Sequence, residues 1–342
     1  MSKSGSRKNK GKKTGHAFPG EFCPSKSTIF LLGFLLLLVG AFGVLYNPAN
    51  SENGSLNELW TVSEKGVLSF SVRDEPVFSA IVIKDVYSAG GSDTLKLLTF
   101  ESQDTEMGAL LRLPETSESS NFKVSTTSTT SRGVPGLVLL PGAGVSKEGE
   151  QRLAMELSSL GYASLALDQR NYAAVNPEND LGLYKAGLEP LEYKMVYDAL
   201  KAADVLAAQP EVDPEKIAIL GESNGGRFAI IASALEPSLK GAVGISTCGY
   251  GTSGLDPKNA GGPETYRFYR SIDPDTYLAA LPPAKLVMLH SFNDTVIEHE
   301  LALRTFKEAE EPKTMYNVSE ATHGYTASMK PYIEKELAVL FS

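Results

Sequence analysis

Only two cysteines occur in 342 residues, Cys23 and Cys248, so no framework of disulfides can hold this chain together. There are four histidines, His16, His290, His299 and His323, and none stands with a cysteine at the spacing of a zinc site. A phosphate-binding Gly-x-x-x-x-Gly-Lys-Ser/Thr loop is absent as well, which excludes P-loop nucleotide chemistry. The expectation is a protein that works with neither metal nor nucleotide, and with no other cofactor.

Positive charge is scarce except at one end. Residues 1–26 carry six lysines and Arg7 against a single acid, Glu21, a net of +6 in a chain whose total is −9. A basic arm of this kind can bind nucleic acid, but the adjoining segment points to a membrane. Ile29 to Tyr46 is an uninterrupted apolar run of 18 residues, with no charge until Glu52. As one helix it spans the hydrocarbon core of about 30 Å. The positive-inside rule keeps the lysine-rich tail, residues 1–27, in the cytoplasm and sends the rest across. Residues 28–46 are thus expected as a transmembrane signal-anchor in the lipid bilayer, with no nucleic-acid partner. Ala41-Phe42-Gly43 resembles a signal-peptidase site, the rival reading. The long basic region and the long apolar run favour an uncleaved anchor. In that topology Cys23 and Cys248 lie on opposite sides of the membrane and cannot pair.

Residues 47–75 read as a polar stalk and 76–342 as the folded domain. Val77–Val86, Thr94–Phe100 and Gly108–Leu113 have strand composition, with Gly90-Gly91-Ser92-Asp93 as a turn, so antiparallel hairpins are expected first. The stretch 115–133 is dense in serine and threonine and reads as a mobile surface loop. From residue 136 strands and helices alternate. Strands are expected at 136–140, 163–167, 217–220, 241–245, 285–289 and 314–318, and helices at 147–160, 191–208, 227–235, 296–309 and 326–341. Such alternation predicts an α/β fold, a mostly parallel sheet covered on both faces, with its site beyond the strand C-termini.

The stretch that organises the rest is Ile217-Ala218-Ile219-Leu220-Gly221-Glu222-Ser223-Asn224-Gly225-Gly226. A buried strand stops at a glycine-bracketed serine and a helix comes next. A turn this sharp crowds the backbone, so the positions two before and two after the serine need residues without Cβ. Ser223 is the candidate nucleophile. The N–H of Asn224, at the helix start, is a candidate oxyanion donor.

Three other strand ends supply partners. Strand 136–140 runs into Pro141-Gly142-Ala143-Gly144, where the N–H of Ala143 is the candidate second donor; an ordinary strand exit is the plainer reading. Strand 285–289 runs into a loop carrying Asp294, which either orients a base or caps the next helix. The last strand runs into Thr322-His323-Gly324. By elimination among four histidines, His323 is the candidate base. The order Ser223, Asp294, His323 at successive strand ends points to a triad.

The region from about 95 to 342 resembles the α/β-hydrolases, in particular their dienelactone hydrolase-like and acyl-esterase branches. The likeness rests on 210–226, on Asn293-Asp294-Thr295-Val296 and on Thr322-His323-Gly324. Pro141 departs from the histidine many members carry in the oxyanion turn. Ser223 stands where dienelactone hydrolases use cysteine, so the resemblance implies an esterase, thioesterase or peptidase. Two inserts, 171–187 and the cap-like 248–283, leave the strand ends. Tyr250, Tyr266, Phe268 and Tyr269 of the second either line an acyl pocket or pack the insert down. The expected substrate is a small-molecule ester or thioester. A peptidase, an acyltransferase and an inactive membrane-tethered binding module remain alternatives.

Overall fold

Val134-Pro-Gly-Leu-Val-Leu-Leu140 is apolar on both faces, as a strand must be when helices cover both sides of its sheet. It is the sixth strand of a computed structural model that describes residues 59–71, 73–87, 93–115, 133–320 and 322–342. The basic tail, the segment expected to span the membrane, the expected stalk up to residue 58 and residues 116–132 of the Ser/Thr-rich loop lie outside the described residues. Among those described, no helix is long and apolar enough to cross a membrane.

Strands β1 (Trp60–Val62) and β2 (Leu68–Phe70) form a small hairpin. Nine others form one sheet: β3 (Phe78–Val82), β4 (Thr94–Ser102), β5 (Thr105–Leu113), β6 (Val134–Leu140), β7 (Ala163–Leu167), β8 (Val212–Glu222), β9 (Gly241–Ile245), β10 (Lys285–Ser291) and β11 (Lys313–Val318). Their order is β11-β10-β9-β8-β6-β7-β5-β4-β3. Pairing is antiparallel from β3 to β7 and parallel from β7 to β11. The expected hairpins and parallel sheet are therefore both present. The chain moves outward from β6 to β7 and then returns across β6 to β8, so β6 and β8 flank the point where its direction reverses. In open sheets of this kind the site lies there, beyond the strand C-termini.

Side-chain alternation splits the core in two. Val138, Leu140, Ile217 and Ile219 face α3 (Leu191–Ala207) and α4 (Asn224–Leu235). Leu137, Leu139, Ala218 and Leu220 face α1 (Gln151–Ser159) and α7 (Lys330–Leu340). The remaining helices are α2 (Pro177–Lys185) and α5 (Pro263–Ser271) in the inserts and α6 (His299–Glu308) after β10.

One boundary moves. Residues 60–70, inside the segment expected as stalk, belong to the folded unit. Leu68 is fully buried, and its N–H donates to the Tyr277 hydroxyl at 3.0 Å. The Trp60 ring packs 5.2 Å from that of Tyr193 and 5.8 Å from that of Tyr184. The segment is polar enough to look solvated, but a few apolar side chains at period two suffice to dock a hairpin.

Candidate active site

Ser223 takes φ +52° and ψ −116°, a conformation that an L-residue adopts only under constraint. The constraint is visible on every side. Its N–H donates to Ile245 O (2.8 Å), and its carbonyl accepts from Gly226 N (3.1 Å) and from the Thr247 hydroxyl (2.7 Å). A Cβ on Gly221 would lie 2.2 Å from Gly225 O, and one on Gly225 would lie 2.1 Å from Leu140 O. Both glycines are thus required by close backbone approach, as the sharp turn demands.

Asp294 and His323 meet at the same end of the sheet. His323 Nδ1 lies 2.9 Å from Asp294 Oδ2 and 3.2 Å from Oδ1. Asp294 Oδ1 also accepts the N–H groups of Val296 (2.8 Å) and Ile297 (2.9 Å). Of the two readings of this residue in the sequence, the helix cap is not what forms: α6 begins at His299 with Glu298 before it, and the Asp294 carboxylate holds the loop amides and the His323 ring instead. Burial works to raise its pKa, but the bonds from His323 and the two amides prevail and hold it below the usual carboxylate range. The loop carrying His323 is in turn bonded to Glu222, the residue before Ser223, through the Tyr325 N–H.

The other described histidines are committed elsewhere. His290 is buried, its Nε2 bonded to Ile297 O at 2.9 Å, and burial lowers its pKa. His299 opens α6 and bonds Asn317 Oδ1 at 2.8 Å. Among the described residues, no group of three or more His, Cys, Asp or Glu is arranged to hold a metal ion.

The turn after β6 lies against the elbow, since a Cβ on Gly142 would touch Ser223 Cβ at 3.3 Å. Gly144 N–H is bound to Tyr172 O (2.7 Å) and Val145 N–H to Gly142 O (3.2 Å). Neither competes with the exposed Ala143 for the donor role. The N–H of Asn224 is in the first turn of α4 and has no acceptor within the helix. Its side chain donates to Ala173 O at 2.9 Å.

A sequence model of the acetyl xylan esterase (AXE1) family matches residues 125–250, which include Ala143, Ser223 and Asn224. Among solved structures, the acetyl xylan esterase from Paenibacillus sp. R4 superposes with a TM-score of 0.61 at 17% identity, covering 77% of this chain and 88% of that one. Acetyl xylan esterase 1 from Thermoanaerobacterium sp. JW/SL YS485 gives 0.58 at 14% identity, over 79% and 89%. The glucuronoyl esterase from Solibacter usitatus gives 0.55 at 15%, over 82% and 90%. The chain has the α/β-hydrolase fold. Two curated relatives match over shorter stretches: YtaP of Bacillus subtilis (strain 168) at 31% identity over 93 residues and YfhR of Escherichia coli O157:H7 at 23% over 145. These matches cover 26% and 42% of this chain, and 31% and 50% of the relatives' own lengths.

Within this fold, the segment after β7 carries a feature that spacing does not announce. Asn171, Tyr172 and Ala173 all have left-handed φ, from +48° to +56°, at a cost of about 1–2 kcal/mol per residue. Asn tolerates that region; Tyr and Ala do not. The strain sustains a brace: Tyr172 O holds Gly144, Ala173 O holds the Asn224 side chain, and Gln169 Nε2 holds Pro141 O. Both segments with candidate oxyanion donors are thus tied to one strained turn. The ring of Tyr172 stands 64% exposed beside it.

The aromatic residues of the 248–283 insert divide. Phe268 is fully buried between Tyr184 and Tyr193, so its ring packs the insert down and does not face a pocket. Tyr269 packs edge-on against Phe268. The Tyr250 hydroxyl accepts from Arg227 Nη1 at 2.8 Å, and the same guanidinium nitrogen reaches Asn224 Oδ1 at 2.8 Å. Tyr250 is thereby linked to the elbow through Arg227. Tyr266, on α5, is partly buried. The contacts of Glu222, Gln169 and the 171–173 turn with the candidate site were not legible in the sequence, because each is made with a partner remote in sequence.

Proposed function

We propose that this protein is a membrane-anchored serine esterase acting on a small or medium carboxylic ester or thioester. The observation that carries the reading is the strained Ser223 beside a loop whose His323 is hydrogen-bonded to Asp294. Ser223 Oγ attacks the acyl carbonyl carbon while His323 takes its proton. Asp294 keeps the proton of the neutral imidazole on Nδ1 and stabilises the imidazolium. The N–H groups of Asn224 and Ala143 receive the oxyanion, each contributing roughly 3–4 kcal/mol in comparable sites. Collapse expels the alcohol or thiol, which takes its proton from His323. Water, activated by the same histidine, then releases the acid. The matches to proteins named acetyl xylan esterase and glucuronoyl esterase make acetyl esters and carbohydrate esters the first substrates to try.

The test is fluorophosphonate labelling of the detergent-solubilised full chain, beside Ser223→Ala and His323→Ala. Labelling of the wild type alone, together with turnover of 4-nitrophenyl acetate, supports the reading. A folded wild type that takes up no probe and cleaves no ester or thioester sinks it.

The anchor is tested separately. Lysines in place of Leu35 and Leu38 each cost about 2.5–3.5 kcal/mol at the centre of a span. The wild type should resist alkaline carbonate extraction and the double variant should not. Release of the wild type would overturn the anchor.

A further inference from the structure

Glu222 stands between Gly221 and Ser223 and has no part in the proton transfers above. Its side chain is nonetheless built into the site. Glu222 Oε2 accepts the N–H of Tyr325 at 2.9 Å, two residues beyond His323. Between them Gly324, at φ +92°, leaves so little room that a Cβ there would come within 2.6 Å of the same oxygen. The Gly324 N–H donates to the Ser246 hydroxyl at 3.0 Å, and Ser246 is fully buried just after β9. Two successive amides following the histidine are therefore held by side chains at the ends of β8 and β9. His323 hangs between this clamp and Asp294.

The charge around Glu222 is also defined. His323 and the Tyr325 amide face it from the loop after β11, and both favour its ionised form against burial, which raises its pKa. Glu150 faces it from the start of α1. Burial and then the Glu222 charge push Glu150 up to about 8. Further out on α1, Glu156 accepts from the Tyr325 hydroxyl and lies near Arg152.

We propose that Glu222 is a positioning residue: it holds the histidine loop through the Tyr325 amide, fixing the imidazole relative to Ser223. The kinetic consequence rests on the serine-esterase reading; the structural one does not.

The experiment compares full-length wild type, Glu222→Ala and Glu222→Gln by ester turnover and by hydrogen exchange of the 322–326 segment. Glu222→Ala should lower kcat roughly 10- to 100-fold, the scale of a small misplacement of a reacting group, with little change in KM and faster exchange of the segment. Glu222→Gln keeps an oxygen for the Tyr325 N–H, so it should restore most of kcat and the slow exchange. A Glu222→Ala protein with unchanged kcat and exchange would overturn the proposal, as would a Glu222→Gln protein as impaired as the alanine variant. If the wild type proves inactive, the esterase reading fails while the exchange comparison still decides whether Glu222 holds the loop.

Discussion

The carboxylate of Asp294 bonds the His323 ring at 2.9 Å through Oδ2, while its Oδ1 takes the amides of Val296 and Ile297 at 2.8 and 2.9 Å. Asp294→Asn separates these two duties. The amide oxygen can keep the backbone bonds, so the loop should fold, but an NH₂ facing Nδ1 favours the wrong tautomer. On the proposed mechanism kcat should fall by about 10⁴-fold, with a melting temperature within a few degrees of wild type. Unchanged turnover would remove Asp294 from the triad.

Gly225 has no room for a side chain. Its added Cβ would lie 2.1 Å from the Leu140 carbonyl oxygen and 2.7 Å from that of Pro141, both backbone atoms that cannot swing aside. Gly225→Ala should therefore pry β6 from the start of α4 and destabilise the protein by about 3 kcal/mol or more. Thermal melts and limited proteolysis read the effect. A variant as stable as wild type would mean that β6 and α4 approach each other less closely than these distances require.

Asn224 joins the elbow to the strained turn after β7 through Ala173 O at 2.9 Å and accepts from Arg227 at 2.8 Å. Asn224→Ala keeps the backbone N–H but releases both ties. Because the N–H is aimed by those ties, kcat should drop roughly 10-fold, KM should change little, and fluorophosphonate labelling should slow in proportion. A full-rate variant would show that the α4 start is held by the backbone alone.

Two buried acids set a pH dependence of stability. Burial raises Glu150 from 4.5 to about 8, helped by the Glu222 charge; burial raises Glu192 to about 8, helped by Asp180. Between those values the native state binds more protons than the unfolded chain, so stability declines as pH rises from about 4.5 to about 8. The slope is about 1.4 kcal/mol per pH unit for each group. Asp294, held low, acts only at more acidic pH, where its contribution is lost as it protonates. Melts of the solubilised chain should show this decline, and Glu150→Gln should make it shallower, leaving the part due to Glu192. A variant with the same slope would rule Glu150 out as its source.

Sequence by itself determined whatever depends on near neighbours. The sterics of a tight turn are local, so Gly221, Ser223 and Gly225 announced the elbow. Apolar runs and their breakers placed β9 at 241–245 and α3 at 191–207 within a residue. His323 emerged because histidine is rare and the chain order constrains its role. Only the tertiary structure decided which remote segments touch. It docked the 60–70 hairpin, buried Phe268, brought the Tyr325 amide to Glu222 and tied the 141–144 turn and the start of α4 to the 171–173 turn. The physical reason is range: turn strain and periodicity act within a few residues. The contacts of Glu222 or Phe268 exist only once strand order has brought together elements some 75 to 100 residues apart.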